Sequence, residues 1–228
     1  SSATGDGEEQ NVKTESLEEV KNPHDAVDPA TAYAPNLSTA KKELAALPVK
    51  EWASKAGYTR EQFGAAWDDV DHNGCNTRDD ILRRDLTNIR FKAGTRACTV
   101  QTGTLDDPYT GRTIEFKRGK KSSSAVQIDH VVALSNAWQT GAQDIGEEKR
   151  RELANDPENL VAADGPANMQ KSDADASDWL PGNTAYRCTY VARQVHVKTK
   201  YQLWVTADEK RAMENVLNSC KDTNPVKK

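Results

Sequence analysis

With 228 residues and 36% apolar side chains, the chain is long enough for one sizeable domain plus a tail, and no run of 18 apolar residues exists to form a membrane-spanning helix. Its 31 basic and 35 acidic residues leave a net charge of −4. The charge is uneven: residues 1–36 hold eight acids against two lysines, and the remainder is mildly basic, a balance that by itself neither demands nor excludes a nucleic-acid partner.

Residues 1–36 are polar, acidic and without periodicity, and they read as a flexible tail ahead of a single domain over residues 37–228. Residues 1–19 have the look of an exposed stalk left by processing, and a lipid anchor ahead of Ser1 is compatible with it. Helical periodicity starts near Thr39, with Leu44 and Leu47 on one face before Pro48. Thr59-Arg60-Glu61-Gln62 has the form of a capping box and predicts a helix carrying Phe63 and Trp67. A second start at Thr77 predicts a helix bearing Ile81, Leu82 and Leu86. Short strands are expected over 99–102 and 112–117, either side of the turn-forming run Asp107-Pro108-Tyr109-Thr110-Gly111. Residues 126–134 have strand content, 135–140 and 146–154 helical content, and 159–163 form another short apolar run. Pro166 in a first helical turn opens 167–171. Two closing helices are predicted near 184–195 and 206–219.

The four cysteines, Cys75, Cys98, Cys188 and Cys220, contain no Cys-x-x-Cys pair, which argues against a zinc knuckle. Two disulfides are expected, and with them an oxidising, extracellular or cell-surface location. Of the three connectivities, Cys75–Cys98 with Cys188–Cys220 is preferred because sequential pairs close the shorter loops.

The chemistry is concentrated in Ile128-Asp129-His130-Val131-Val132, followed by Asn159 and then by Asn168 and Lys171. Hydrolysis of a phosphodiester needs a base to deprotonate water, positive charge on the phosphate, and a group that holds the base in its active tautomer. A strand–loop–strand–helix unit can supply them. His130 is the candidate base, Asp129 and Asn168 the oxygen ligands of a hard cation, Asn159 the group that fixes the loop or orients the ring, and Lys171 a phosphate contact. Adjacent strand residues face opposite ways, so Asp129 and His130 serve one site only if the strand ends or bends there.

Trp67-Asp68-Asp69, Gly74-Cys75-Asn76-Thr77-Arg78, Asp107 to Gly111, Ile128 to Leu134, Ala137-Trp138, Asn155 to Leu160, Asn168 to Asp173 and Trp179-Leu180-Pro181 occur in this order, from about Phe63 to Cys188. In this the chain resembles the secreted bacterial HNH-like nucleases of the His-Me finger, or ββα-metal, class, related to the C-terminal domain of GmrSD restriction enzymes. The resemblance implies an α+β fold with a small ββα-metal centre surrounded by helices. It also implies a metal-dependent endonuclease of low sequence specificity acting on DNA, or on RNA. The implied base is His130, with Asp129 and Asn168 at a divalent cation: Mg²⁺ first, Mn²⁺ or Ca²⁺ as alternatives. Asn168 stands where many members carry His, which disfavours a softer metal such as Zn²⁺. A monomer is expected.

Arg78, Arg96 and Arg118 are further candidates for phosphate contacts, since the guanidinium fork suits a phosphate. Arg78 is foremost because it lies in one of the motifs, its competing role being a salt bridge to Asp80 or Asp85. Asp69, Asp71 and Asn73, with Gly74 next and Asp80 at the twelfth position, imitate a calcium loop, against the plainer reading of a polar turn that caps the Thr77 helix. If that loop binds calcium, a rival function opens: a non-catalytic, calcium-stabilised cell-surface interaction domain that keeps the nuclease fold.

Overall fold

The computed structural model describes residues 36–221; the acidic segment up to Pro35, with His24, and the last residues from 222 on lie outside them. The described chain is mixed α/β, with seven α-helices and two small antiparallel sheets. Helix α1 (Leu37–Ala46) is capped by Asn36, whose side chain accepts from the Thr39 amide. Helix α2 (Thr77–Asp85) follows, with Asn76 as its cap, one residue before the predicted start. Strands β1 (Leu86–Phe91), β2 (Val100–Asp106) and β3 (Thr113–Lys117) form one sheet in that order. The second sheet is the antiparallel pair β4 (Val126–His130) and β5 (Leu160–Asp164), with His130 opposite Leu160. Helices α3 (Leu134–Gln139) and α4 (Glu147–Ala154) lie between its strands in sequence. Helix α5 (Gly165–Lys171) leaves β5 directly, with Asp164 as cap and a proline in its first turn. Helices α6 (Arg187–Lys200) and α7 (Ala207–Ser219) close the domain.

Three expectations change. The helix predicted after Thr59 is a single 3₁₀ turn, Arg60–Phe63, because Gly64 takes φ +83° and ends it. Trp67 therefore lies in a turn. Strand β1, continuous with α2, was not expected. The strand predicted over 126–134 stops at His130, and α3 begins four residues later.

The β4–β5 hairpin divides the core. Val126, Ile128, Leu160 and Ala162 pack with α2 residues Ile81 and Leu82 and with Val100, Leu105 and Phe116 of the three-stranded sheet. Val161 and Ala163, on the other face, pack with the α1, α6 and α7 residues Leu44, Val191, Val195 and Met213 and with Tyr109. A third cluster, including Phe63, Val132, Trp138, Leu153 and Ala154, fills the end of the hairpin next to His130. The approach of α5 is close: a Cβ on Gly165 would meet the Ser124 carbonyl oxygen at 1.9 Å, so only glycine fits there. Disulfides join Cys75 to Cys98 and Cys188 to Cys220, the sequential connectivity. Among the described residues no helix is long and apolar enough to cross a membrane.

Candidate active site

His130 is the last residue of β4, and strand alternation turns its ring toward the face of Ile128 and Leu160. The ring lies parallel to Trp67, 5.6 Å between centroids and 5° between planes. Its Nε2 sits 2.9 Å from the Ala154 carbonyl oxygen at the end of α4. Trp67 is itself anchored: its carbonyl accepts from the Thr77 amide at 3.1 Å, and the neighbouring Asp68 pairs with Arg151 at 2.7 Å. Burial pushes the imidazole down to about 3; the Ala154 bond opposes that, and the positive charges of Arg60 and Lys171 add to it. The shift favours the neutral ring.

Asp129 faces the other way. Its Oδ2 accepts from the Tyr109 hydroxyl and, at 2.7 Å, from Lys171 Nζ. The Lys171 side chain has no solvent exposure, and its ammonium also donates to the backbone carbonyls of His130 at 2.6 Å and Val131 at 3.2 Å. Lys171, expected as a phosphate contact, is placed here as a fully buried ammonium with three acceptors. Asn168, one turn earlier on α5, donates through Nδ2 to Gln127 Oε1 at 2.9 Å. Gln127 and Asp129 share a strand face, so Asn168 and Asp129 meet the same β4–α5 interface, away from the His130 ring.

Asn159 is fully buried and holds the backbone rather than the imidazole. Its Oδ1 accepts from the Val132 amide at 2.8 Å, its Nδ2 donates to the Val132 carbonyl at 3.3 Å, and its own carbonyl accepts from the Val131 amide at 2.8 Å. The chain leaving His130 is fixed by these bonds, and the ring-orienting acceptor is the Ala154 carbonyl.

The arginines sort clearly. Arg118 donates to the Val100 carbonyl at 2.7 Å and pairs with Asp79 at 2.5 Å. Arg96 is exposed in the loop between β1 and β2, two residues from Cys98, with φ +53°. The two aspartates weighed as salt-bridge partners of Arg78 are held by other arginines, Asp80 by Arg83 and Asp85 by Arg84. Burial, and then the charge of Arg118, lower the pKa of Arg78. The Asp69–Asp80 loop is occupied by its own donors. Asp69 accepts from the Asn73 and Gly74 amides, Asp71 from the Asn73 amide, and Asp80 from Asn73 Nδ2 and Arg83. Those are the bonds of a polar turn leading into α2. Among the described residues no group of three or more His, Cys, Asp or Glu is placed to hold a metal ion.

Sequence reasoning passed over three participants: Arg60, Tyr109 and the Ala154 carbonyl. A carbonyl has no sequence signal, and Tyr109 was legible as part of a turn and of one of the ordered motifs but not as a partner of Asp129. Arg60 was read as the second residue of a capping box, although Thr59 makes no side-chain cap.

Residues 76–216, more than half of the chain, match the family described as GmrSD restriction endonucleases, C-terminal domain. An "Uncharacterized secreted protein" of the fungus Arthroderma benhamiae is 37% identical over 194 residues, which cover 84% of this chain and 90% of the relative. No solved structure matches the chain. The chain belongs to the family of GmrSD restriction endonuclease C-terminal domains.

Proposed function

We propose that the chain is a secreted endonuclease that hydrolyses phosphodiester bonds of DNA, with RNA as an alternative substrate, and that His130 is its general base. The family supports the reaction class, and the relative named as secreted supports the location, as do the two disulfides. The carrying observation is the contact of His130 Nε2 with the Ala154 carbonyl. A carbonyl only accepts, so Nε2 holds the proton and Nδ1 keeps its lone pair. In hydrolysis Nδ1 takes a proton from water as the water oxygen bonds to phosphorus. The bond from phosphorus to the leaving sugar oxygen breaks, and that oxygen takes a proton from solvent. A base works best with a pKa near the working pH. An anionic phosphate beside the ring would act in the upward direction, against the effect of burial.

A divalent cation, Mg²⁺ before Mn²⁺ or Ca²⁺, would neutralise the phosphate and the leaving oxygen. The residues as placed do not form its cradle. Asp129 is committed to Lys171 and Tyr109, and a cation there would have to displace the Lys171 ammonium. Asn168 alone offers an amide oxygen, which is a weak site for Mg²⁺. No step of the reaction is therefore assigned to the metal.

The test is plasmid nicking by wild type, His130→Ala and His130→Asn, each in Mg²⁺, Mn²⁺ and EDTA. Loss of the base should slow cleavage by about 10²–10⁴-fold, with the fold kept and the melting temperature lowered only modestly by loss of the Trp67 stack and the Ala154 bond. Cleavage by His130→Ala at the wild-type rate refutes the assignment, whatever the metal dependence.

A further inference from the structure

Arg60 differs from most arginines of the domain. Arg83, Arg84, Arg112, Arg118, Arg151 and Arg211 each pair with an aspartate. Arg150, packed nearby, satisfies its guanidinium on Gln62 and on the Ala142 and Gln143 carbonyls. Among the described residues, Arg60 has no carboxylate within ion-pair distance. Its Nη1 donates to the Gly64 carbonyl at a long 3.3 Å, and its Nη2 is buried without any hydrogen-bond partner. A buried, charged donor left open is costly, and such a cost persists where a ligand or ordered water supplies the acceptor.

The position of this open donor is defined by the fold. The Arg60–Phe63 turn packs on α4, whose last carbonyl holds His130, and Phe63 lies in the same cluster as Ala154. Four residues beyond the turn, Trp67 covers the His130 ring. The charge of Arg60 is also one of the two that act on that ring.

Resting on the nuclease reading above, we propose that Arg60 is a catalytic residue whose guanidinium binds the non-bridging oxygens of the scissile phosphate beside His130. Its planar fork matches two phosphate oxygens, and the charge that grows on them during attack is where a preorganised donor acts most. Arg60 precedes the residues that match the family, so this contact is supplied by the segment leading into the matched region.

The experiment compares full-length, disulfide-bonded wild type, Arg60→Ala, Arg60→Lys and His130→Ala. Plasmid nicking by Arg60→Ala should fall by about 10²-fold, as for loss of one transition-state donor. Arg60→Lys should recover part of the rate, because it restores charge without the fork. Binding of a labelled DNA duplex in EDTA across a salt series should lose about one unit from its log–log slope in Arg60→Ala, one phosphate contact fewer. Its melting temperature should hold, since an unpaired donor is removed. If Arg60→Ala cuts at the wild-type rate while His130→Ala is dead, Arg60 makes no such contact and the nuclease reading stands. A slowed Arg60→Ala with a lowered melting temperature, an unchanged salt slope and no recovery in Arg60→Lys makes Arg60 a structural support and overturns the proposal. Full activity of His130→Ala removes the nuclease site, and the Arg60 contact with it.

Discussion

The two faces of the β4–β5 hairpin treat neighbouring residues in opposite ways. On one face His130 keeps part of its surface open, stacks on a tryptophan held in a turn, and feels the charge of an arginine with an unused donor. On the other, Asp129 is sealed under Tyr109 and paired with an ammonium that has no exposure. One strand thus carries the face of the proposed base and a locked face, divided by the alternation of the backbone. The locked face also supports the His130 face. Lys171, fixed by Asp129, donates to the His130 and Val131 carbonyls, so the charge pair sets where the strand ends and where the imidazole begins.

The largest expected effect breaks this division directly. If Asp129 is structural, Asp129→Ala leaves the Lys171 ammonium buried without its counter-charge and should cost about 3–5 kcal/mol in urea denaturation. Adding Lys171→Met to it should return a good part of that loss, since two uncharged side chains replace one stranded charge. A metal-ligand role for Asp129 predicts the opposite pattern: near-wild-type stability with a nicking curve displaced to higher Mg²⁺. That outcome would mean Lys171 yields Asp129 to a cation, and the locked face would join the site.

The next effect sharpens the comparison on the open face. Trp67→Ala removes the plane against His130 while leaving the Ala154 bond in place. Stacked aromatic pairs contribute about 0.5–1.5 kcal/mol beyond burial, so stability should fall modestly. Cleavage should fall by roughly tenfold, as a ring held on one side only samples unproductive orientations. Trp67→Phe, which keeps a plane, should stay near wild type in a nicking assay. Equal rates for Trp67→Ala and wild type would mean that the Ala154 carbonyl alone positions the base.

The sequence made much of this architecture legible. Asparagine and threonine caps, a proline in a first turn and the 3.6-residue spacing located α1, α2, α5 and α7 to within a residue or two. Strand β1 escaped because Leu86 reads equally as the last apolar position of the preceding helix, and Thr87, Ile89 and Phe91 alternate on a face that is only partly buried. The position of His130 was visible from the Asp-His pair at the end of an apolar run. The division of labour was not. Alternation predicts that Asp129 and His130 separate, but nothing local says that Asp129 will meet a lysine 42 residues later, or that Lys171 will be buried. Arg60 was hidden for a different reason: the same four residues satisfy the pattern of a helix cap, and only the glycine at 64 in the left-handed region stops the helix and leaves the guanidinium where it is.

The smallest effect concerns a second charge cluster on the locked side, where α6 meets α1 and the turn before β5. His196 Nε2 lies 2.7 Å from Glu158 and its Nδ1 3.6 Å from Glu43, and Lys200 pairs with both Asp156 and Glu158. The Glu158 bond raises the imidazole of His196 above its ordinary value. The same bond, helped by Lys200 and opposed by burial, holds Glu158 down to about 2. These are two views of one interaction and count once. A histidine with a raised folded pKa stabilises fully below its unfolded value, near 6.5, and loses that contribution as pH rises through the folded value. A glutamate with a depressed folded pKa stabilises above its unfolded value, near 4.5, and loses it as pH falls toward 2. The clasp is therefore strongest between roughly pH 4.5 and 6.5. The His196 side chain is 35% exposed, so solvent screening limits the effect to less than about 1 kcal/mol. His196→Gln should lower stability in that window and leave it nearly unchanged at pH 8.5, in urea titrations across the range. Nicking at pH 8.5 should match wild type, because the clasp lies on the side of the hairpin that holds the chain rather than the substrate. A loss of activity there, with stability intact, would show that the locked face reaches the site through Glu158 and its neighbour Asn159, which pins the backbone after His130.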